Sequence, residues 1–560
     1  MTETSAPTSV DTVATRFWED VLRLSPLTAT IYGDDRYDDR LDDPGPAGRD
    51  EARRVAERTL AEIDAIDEAE LSVEDRITRD MLRVVAELSI ADHDMGIHRL
   101  RSVDQIQGPQ TVLPQLVQFQ KADTPERLEK FVARLRGYRD YMAAYVDILD
   151  EGRRTGLTAP RIVAERTIEQ LRRLCGVPAE EGPIVSLAQV AGDADRAAVR
   201  EAVEDYVIPA DMAYLAALEN GYLASTRADP GLWSAAEGEQ IYRHLIRSWT
   251  TLDLDPADVH QIGLDELASI DAERRAIATA NGHGDDVAGY RAALDREPAN
   301  VPPTPEALVE RATEDIARAM ADAPRMFGRL PESACVVRAV EEFKQRDAPF
   351  AYYFPPSVDR SRPGIYYVNP YDLPTRTYSK LGSTTYHEAV PGHHFQIALE
   401  MENPELNVFR RLGSRMVGGA YVEGWGLYAE RLADEMGLFR NDGERFGMLD
   451  AQAWRAARLV VDTGLHALRW SRQESIDFLL KAGLSETDAT IETDRYVVWP
   501  GQALTYMIGM REIRRLRHEL EERDGASFDL RAFHDAVLGH GALPLATLAR
   551  QLRGWVAPRP

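Results

Sequence analysis

Residues 386–396 read Tyr386-His387-Glu388-Ala389-Val390-Pro391-Gly392-His393-His394-Phe395-Gln396, and the rest of the chain is best read outward from them. Three of its 12 histidines fall within the eight positions 387–394. A cluster this dense, with an adjoining glutamate, points to a metal site rather than to incidental surface histidines. The pair His387-Glu388 matches the start of HExxH, in which two histidines one helical turn apart bind zinc and the glutamate acts as general base. Position 391, where the second histidine of that motif would stand, is Pro, and the next histidines are His393 and His394.

On a regular helix the i+7 position returns to nearly the same face about 10.5 Å further along the axis. One zinc ion with bonds of about 2.0–2.1 Å to each nitrogen does not span that distance. Pro391 and Gly392 break the regularity, because Pro removes a hydrogen bond and Gly admits unusual dihedrals. A bulge there brings one of the two histidines back beside His387. His393 keeps a Gly-His order and His394 keeps the helical phase, so spacing leaves both open.

A catalytic zinc site needs a third protein ligand and one open position. The carboxylates within reach in sequence are Glu400, Glu402, Glu405, Glu423 and Glu430. The first three end the motif helix in LEMENPE and are expected to face solvent. Glu423 stands in AYVEGWGLYAE, an apolar and aromatic setting in which an unpaired carboxylate would be costly. Gly424 and Gly426 beside it allow close approach of a backbone or a ligand. Glu423 is therefore the expected third ligand, the competing reading being a buried ion pair with an Arg such as Arg431.

Around this segment the texture is helical. Stretches near 50–90, 126–151, 195–224, 256–282 and 305–327 are rich in Ala, Leu, Glu and Arg, with apolar residues at i, i+3/i+4 and i+7. Between about 335 and 370 the segments ACVVRAV, FAYYF and GIYYVN read as short strands joined by Pro/Gly turns. The last of these is a candidate edge strand for an extended substrate. The fold class expected is mainly α, a large helical body with a small β-sheet beside the segment that follows residue 370. Its expected divisions are a flexible N-terminus at 1–15, an N-terminal helical region at 16–330, and a catalytic metal-binding region at 331–560. The acidic run GDDRYDDRLDD, Gly33 to Asp43, lacks the Gly and Glu positions of an EF-hand loop and reads as a solvated connection.

Composition sets outer limits. With 560 residues the chain exceeds what one hydrophobic core usually supports. Its net charge of −27 argues against nucleic acid as a partner. Cys175 and Cys335, its 2 cysteines, cannot build a disulfide framework. No stretch approaches the ~20 apolar residues of a membrane span, and no basic segment leads into an apolar run at the start. These readings together predict a cytoplasmic protein with no membrane partner.

HEAVPGHHFQ followed by VEGWGLYAE resembles the DUF885 family, a gluzincin-like group of bacterial proteins regarded as zinc metallopeptidases. The resemblance extends to LSPLTATIYGDDRYDDRLDD, to TDRYVVWPGQALTYMIG and to GHGALPL, and so covers nearly the whole chain. It implies a mostly helical fold with a long cleft, related to other helical zinc peptidases. It also implies one zinc ion held by His387, one of His393 and His394, and Glu423, with Glu388 as general base.

Further candidates lie downstream. His466 is placed on a helix after the third ligand, as a donor or as a core histidine. Gln502 follows Pro-Gly at the start of a helix, and Tyr496 and Tyr506 are phenols that could serve a developing oxyanion. Two stretches are net basic. Residues 343–380 carry six Lys/Arg against three Asp, and residues 495–517 carry five Arg against one Glu. A cationic lining would attract a carboxylate on the substrate. The expected activity is zinc-dependent hydrolysis of peptide or related amide bonds in a peptide or small amide substrate. The alternatives are a non-haem iron oxygenase, which also uses two His and one carboxylate, and a non-catalytic peptide-binding protein.

Overall fold

A computed structural model describes residues 9–342, 345, 346, 348–358, 360 and 362–555. It is 71% helical with two small sheets, so the fold is mainly α as expected. The chain forms two compact units. The first comprises Met1–His244, Leu465–Gln473 and Ile491–Pro500, and the second comprises Leu245–Gly464, Glu474–Thr490 and Gly501–Pro560. The boundary expected near residue 330 therefore falls at 244/245, and two short later segments return to the first unit. The change to strand texture near 335 drew the expected boundary there, whereas a helix, Gly238–Thr250, runs unbroken across 244/245 and gave sequence patterning nothing to register.

Helix α1 (Val10–Leu24) opens the first unit. Its buried Val10, Val13, Ala14, Phe17 and Trp18 recur at i, i+3, i+4, i+7 and i+8, and the Ser9 side chain caps it by accepting from Thr12 N at 3.2 Å. Residues 9–15, expected to be flexible, thus form a cap and the first turns of a packed helix; residues 1–8 lie outside the described residues. Helices α2 (Pro46–Asp64), α3 (Val73–Met95), α4 (Pro125–Thr155) and α5 (Arg161–Gly176) follow. The acidic loop is not fully solvated. Asp38 is 6% exposed and lies 3.6 Å from the Arg134 guanidinium of α4, which also donates to the carbonyls of Tyr37 and Arg40. The stretch expected as one helix near 195–224 divides into α6 (Asp193–Ala202), a wide π-helical turn at Val203–Val207, α7 (Ile208–Ala217) and a second such turn at Leu218–Tyr222. Two-residue strands β1 (Lys121–Ala122) and β2 (Gln189–Val190) pair in parallel.

In the second unit, α8 (Pro256–Ala280) and α9 (Pro305–Asp322) both begin with a capping side chain followed by Pro at the first helical position. Asp255 accepts from Ala257 N at 2.8 Å and Thr304 from Ala307 N at 3.2 Å. Strands β3 (Cys335–Ala339), β4 (Ala351–Phe354) and β5 (Gly364–Val368) form a sheet in the order β3-β5-β4. β5 pairs in parallel with β3 and antiparallel with β4. The strand expected as a substrate edge is thus the central one, with its backbone groups committed on both sides. Its Tyr366 instead ties the sheet to the helix that follows, accepting from Thr385 Oγ1 at 3.3 Å, while Tyr367 stacks on Tyr352 of β4.

Those helices are α10 (Tyr378–Glu388), α11 (His393–Glu402), α12 (Gly419–Glu435), α13 (Thr505–Asp524) and α14 (Leu530–Leu538). Helices α12 and α13 cross at Gly424 and Gly509. A Cβ on Gly509 would lie 1.8 Å from the Ala420 carbonyl oxygen, so only glycine permits this approach. None of the described helices is long and apolar enough to cross a membrane.

Candidate metal centre

Helix α10 ends at Glu388, and Ala389 leaves the helical region with φ −109° and ψ −99°. The chain turns through Val390-Pro391-Gly392 and restarts as α11 at His393. Gly392 packs onto the end of α10, where an added Cβ would come within 1.9 Å of the His387 carbonyl oxygen. The Pro-Gly break therefore does what the missing HExxH spacing would have done. It returns His393 to His387, with ring centroids 4.7 Å apart and planes at 82°. One ligand atom from each of His387, Glu388 and His393 lies within 4.8 Å of the others.

Glu423, on α12, completes the group. Its Oε2 is 3.6 Å from His387 Nε2 and 3.5 Å from His393 Nε2. Donors bound at about 2.0–2.1 Å in a tetrahedron stand about 3.3–3.5 Å apart, so these separations suit a single zinc-sized ion. His387 is 3% exposed at its side chain, whereas Glu423 is 25% exposed. The carboxylate expected to be buried is only half-buried, as is Glu388. Gly426, one turn on, lets the rings lie against α12, since a Cβ there would meet the His387 ring at 2.8 Å and the His393 ring at 3.0 Å.

Glu430 lies two turns beyond Glu423 on the same face of α12. Its Oε1 is 2.8 Å from His387 Nδ1, and its Oε2 accepts from Ser383 Oγ at 2.8 Å and Gln452 Nε2 at 3.1 Å. Burial pushes this carboxyl pKa up, but the hydrogen bonds and the charges of His387 and Arg455 outweigh it and keep Glu430 ionised. An ionised carboxylate only accepts, so Nδ1 of His387 carries the hydrogen and Nε2 is the nitrogen offered to an ion. Burial disfavours the imidazolium of His387, yet Glu423 and Glu430 raise its pKa to about 10 with no ion present. Burial also opposes ionisation of Glu423, and the two imidazoles overturn it, holding that carboxyl well below the usual range.

A family described as "Bacterial protein of unknown function (DUF885)" matches residues 26–552. The chain belongs to the DUF885 family. Two solved structures are similar to this DUF885 chain. One, described as "the putative lipoprotein from Colwellia psychrerythraea", is 28% identical with a TM-score of 0.90, covering 98% of this chain and 99% of that one. The other, "a putative lipoprotein of unknown function from Shewanella oneidensis", is 18% identical with a TM-score of 0.76, covering 98% of this chain and 100% of that one, and shows the fold alone. No curated protein matches.

The remaining sequence candidates of this DUF885 chain fall into two groups. Tyr506, on α13, stacks near the centre with its ring centroid 6.4 Å from that of His387, and the Arg458 guanidinium lies 4.4 Å over it. Gln502 is 9% exposed in the turn leading into α13. His394, Tyr496 and His466 are spent elsewhere. His394 sits beside Gly364 of β5, with Nδ1 3.0 Å from Tyr353 Oη and Nε2 3.0 Å from the Ser333 carbonyl, and burial pushes its pKa down to about 4. Of the two histidines that spacing left open, it is His393 that joins His387. His466 belongs to the first unit. Leu232 N donates to its Nδ1 at 3.2 Å, its Nε2 donates to the Tyr496 carbonyl at 2.9 Å, and burial lowers its pKa to about 3. It is a satisfied core histidine rather than an oxyanion donor. Tyr496 directs its hydroxyl to Glu492 at 2.6 Å.

The other carboxylates also differ from expectation. Glu405 is exposed, but Glu400 is 3% exposed and accepts from Gln396 Nε2 at 2.7 Å and from Ser414 Oγ. Glu402 accepts from Glu332 N and Ser333 N, each at 2.8 Å. Arg431 pairs with Glu273, at 2.8 and 3.0 Å, and not with Glu423. The basic stretches are partly neutralised: Arg360 pairs with Glu332, Lys380 with Asp295, Arg511 with Glu266 and Arg517 with Glu435, while Lys344, Asp347 and Asp359 lie outside the described residues. Sequence reasoning missed the role of Glu430; its i+7 spacing from Glu423 was the available signal.

Proposed function

We propose that this protein is a zinc-dependent hydrolase of peptide or related amide bonds. The observation that carries the reading is the near-equal placement of Glu423 Oε2 at 3.6 and 3.5 Å from the two Nε2 atoms, with Glu388 beside them. His387, His393 and Glu423 would hold the ion. Bound there, zinc supplies Lewis acidity toward a carbonyl and lowers the pKa of water. The chain's own residues do the rest. Glu388 takes a proton from the attacking water at its carboxylate and delivers it to the leaving amine. Glu430 keeps the proton of His387 on Nδ1. Of the two phenol candidates, Tyr506, whose ring lies 6.4 Å from that of His387, is the one assigned to a developing oxyanion, since Tyr496 gives its hydroxyl to Glu492.

The same two His and one Glu would also suit non-haem iron. A further carboxylate adjoining the ligands, Glu388, favours hydrolysis, where a base is required. The 28% identical solved structure is described as a "putative lipoprotein", which points away from the cytoplasmic location expected from the sequence. The test is Glu388→Gln assayed on a peptide library. Zinc content should be retained and turnover should fall by about 10²–10⁴-fold. Full turnover in that variant, or oxygen-dependent turnover with iron alone, would overturn the reading.

A further inference from the structure

The first unit contains a pocket that the metal centre does not use. It is a cavity of about 40 Å³, room for an ammonium head, that opens to solvent between Leu174, Val177, Ile184 and Val207 on the apolar side, with Gln110, Tyr138 and Asp211 at the polar end. One wall is the π-helical turn Val203–Val207, an irregularity that recurs at functional sites.

The polar end is short of donors. Asp211 is 7% exposed, and its one hydrogen bond among the described residues comes from Tyr138 Oη at 2.8 Å. No Lys, Arg or His among the described residues forms an ion pair with it. Gln110 is 1% exposed. Its amide nitrogen donates to the Asp104 carbonyl at 2.7 Å and to Gln170 Oε1 at 2.8 Å, while its Oε1 is buried with no donor. Two acceptors with unused capacity, one of them a carboxyl without a counter-charge, stand at the end of an apolar pocket. Such groups are costly unless something supplies donors.

We propose that this pocket binds a small organic ammonium, a short apolar body carrying a primary –NH3+ group, with Asp211 as its counter-ion. The chemistry excludes the obvious competitors. A single carboxylate is too few ligands for a hydrated divalent cation, and an anion would meet two acceptors. Burial raises the Asp211 pKa to about 7, so the carboxyl can ionise near neutrality when a cation arrives.

The test is calorimetric titration of the intact protein at pH 8 with n-butylammonium and, in parallel, n-butanol. The ammonium should bind saturably and the alcohol about tenfold or more weakly. Asp211→Asn, which keeps the shape and the Tyr138 hydrogen bond, should weaken ammonium binding by about tenfold or more. Val177→Trp, at a position 40% exposed on the rim, should block the probe while leaving the carboxyl intact. Thermal melts establish that both variants fold. Equal binding of ammonium and alcohol, undiminished binding by Asp211→Asn, or no saturable binding to the parent protein would each overturn the proposal.

Discussion

His387 and Glu430 meet at 2.8 Å between Nδ1 and Oε1, on the side of the imidazole opposite Glu423. One ring thus lies between two carboxylates two turns apart on α12. The first faces Nε2, and the second holds the hydrogen on Nδ1, so that Nε2 is the nitrogen left to accept.

Glu430→Gln removes that control. The amide can present either its oxygen or its NH2 group to Nδ1, and it no longer compensates the charge gathered at the ligands. Metal affinity should fall by about 10–100-fold, read as a zinc dissociation constant by competition with a chelator. Unchanged affinity would show that packing against Gly426 alone orients the ring.

Gly426→Ala tests the packing separately. The new Cβ would sit 2.8 Å from the His387 ring and 3.0 Å from that of His393, pushing both rings off α12. Zinc affinity should drop while the helical circular dichroism signal is kept. Gly509→Ala should act on stability instead, because the obstructing atom is the rigid Ala420 carbonyl oxygen at 1.8 Å. A cost of about 1–3 kcal/mol or more is expected, read from the denaturant midpoint of the zinc-free protein.

Asp211 gives a pH signature. Its pKa is raised from 3.8 to about 7 by burial, which outweighs the Tyr138 hydrogen bond. The folded chain therefore retains a proton that the unfolded chain releases. Stability from this group is complete below about 3.8, falls as pH rises toward about 7, and is level above that. The groups facing it, Tyr138, Tyr214 and Cys175, all have pKa values raised by burial and stay neutral across the window. Asp211→Asn does not titrate, so its melting temperature relative to the parent should climb between pH 4 and 7. A difference that does not vary with pH would contradict this.

Chelation provides a whole-protein test. An ion bound by the folded chain and not by the unfolded one stabilises it by mass action, by about 2.7 kcal/mol at a hundredfold excess over the dissociation constant. Removing zinc should lower the melting temperature of the parent protein and leave that of a His387→Ala, His393→Ala double variant unchanged.

Much of this was legible in the sequence because the chemistry is local. His387, Glu388 and His393 lie within seven positions, and Pro391-Gly392 announced the break that reunites them. Glu423 was legible from the oddity of a glutamate among aromatic residues. What escaped depended on long-range packing. His394 looked equivalent to His393 until Tyr353 and Ser333 claimed both of its nitrogens. Glu400 read as the polar end of a helix, yet Ser414 and Gln396 bury it. The central place of β5 in its sheet follows from pairings that a strand pattern does not encode. Likewise, helical texture runs unbroken across 244/245, where the two units divide.

The most direct measurement is anomalous X-ray diffraction at the zinc edge from crystals grown with zinc. The account predicts one strong peak in contact with His387 Nε2, His393 Nε2 and the Glu423 carboxylate, with Glu388 beside it and outside bonding distance. A peak bonded to His394, a peak that omits Glu423, or no peak within reach of His387 would contradict it.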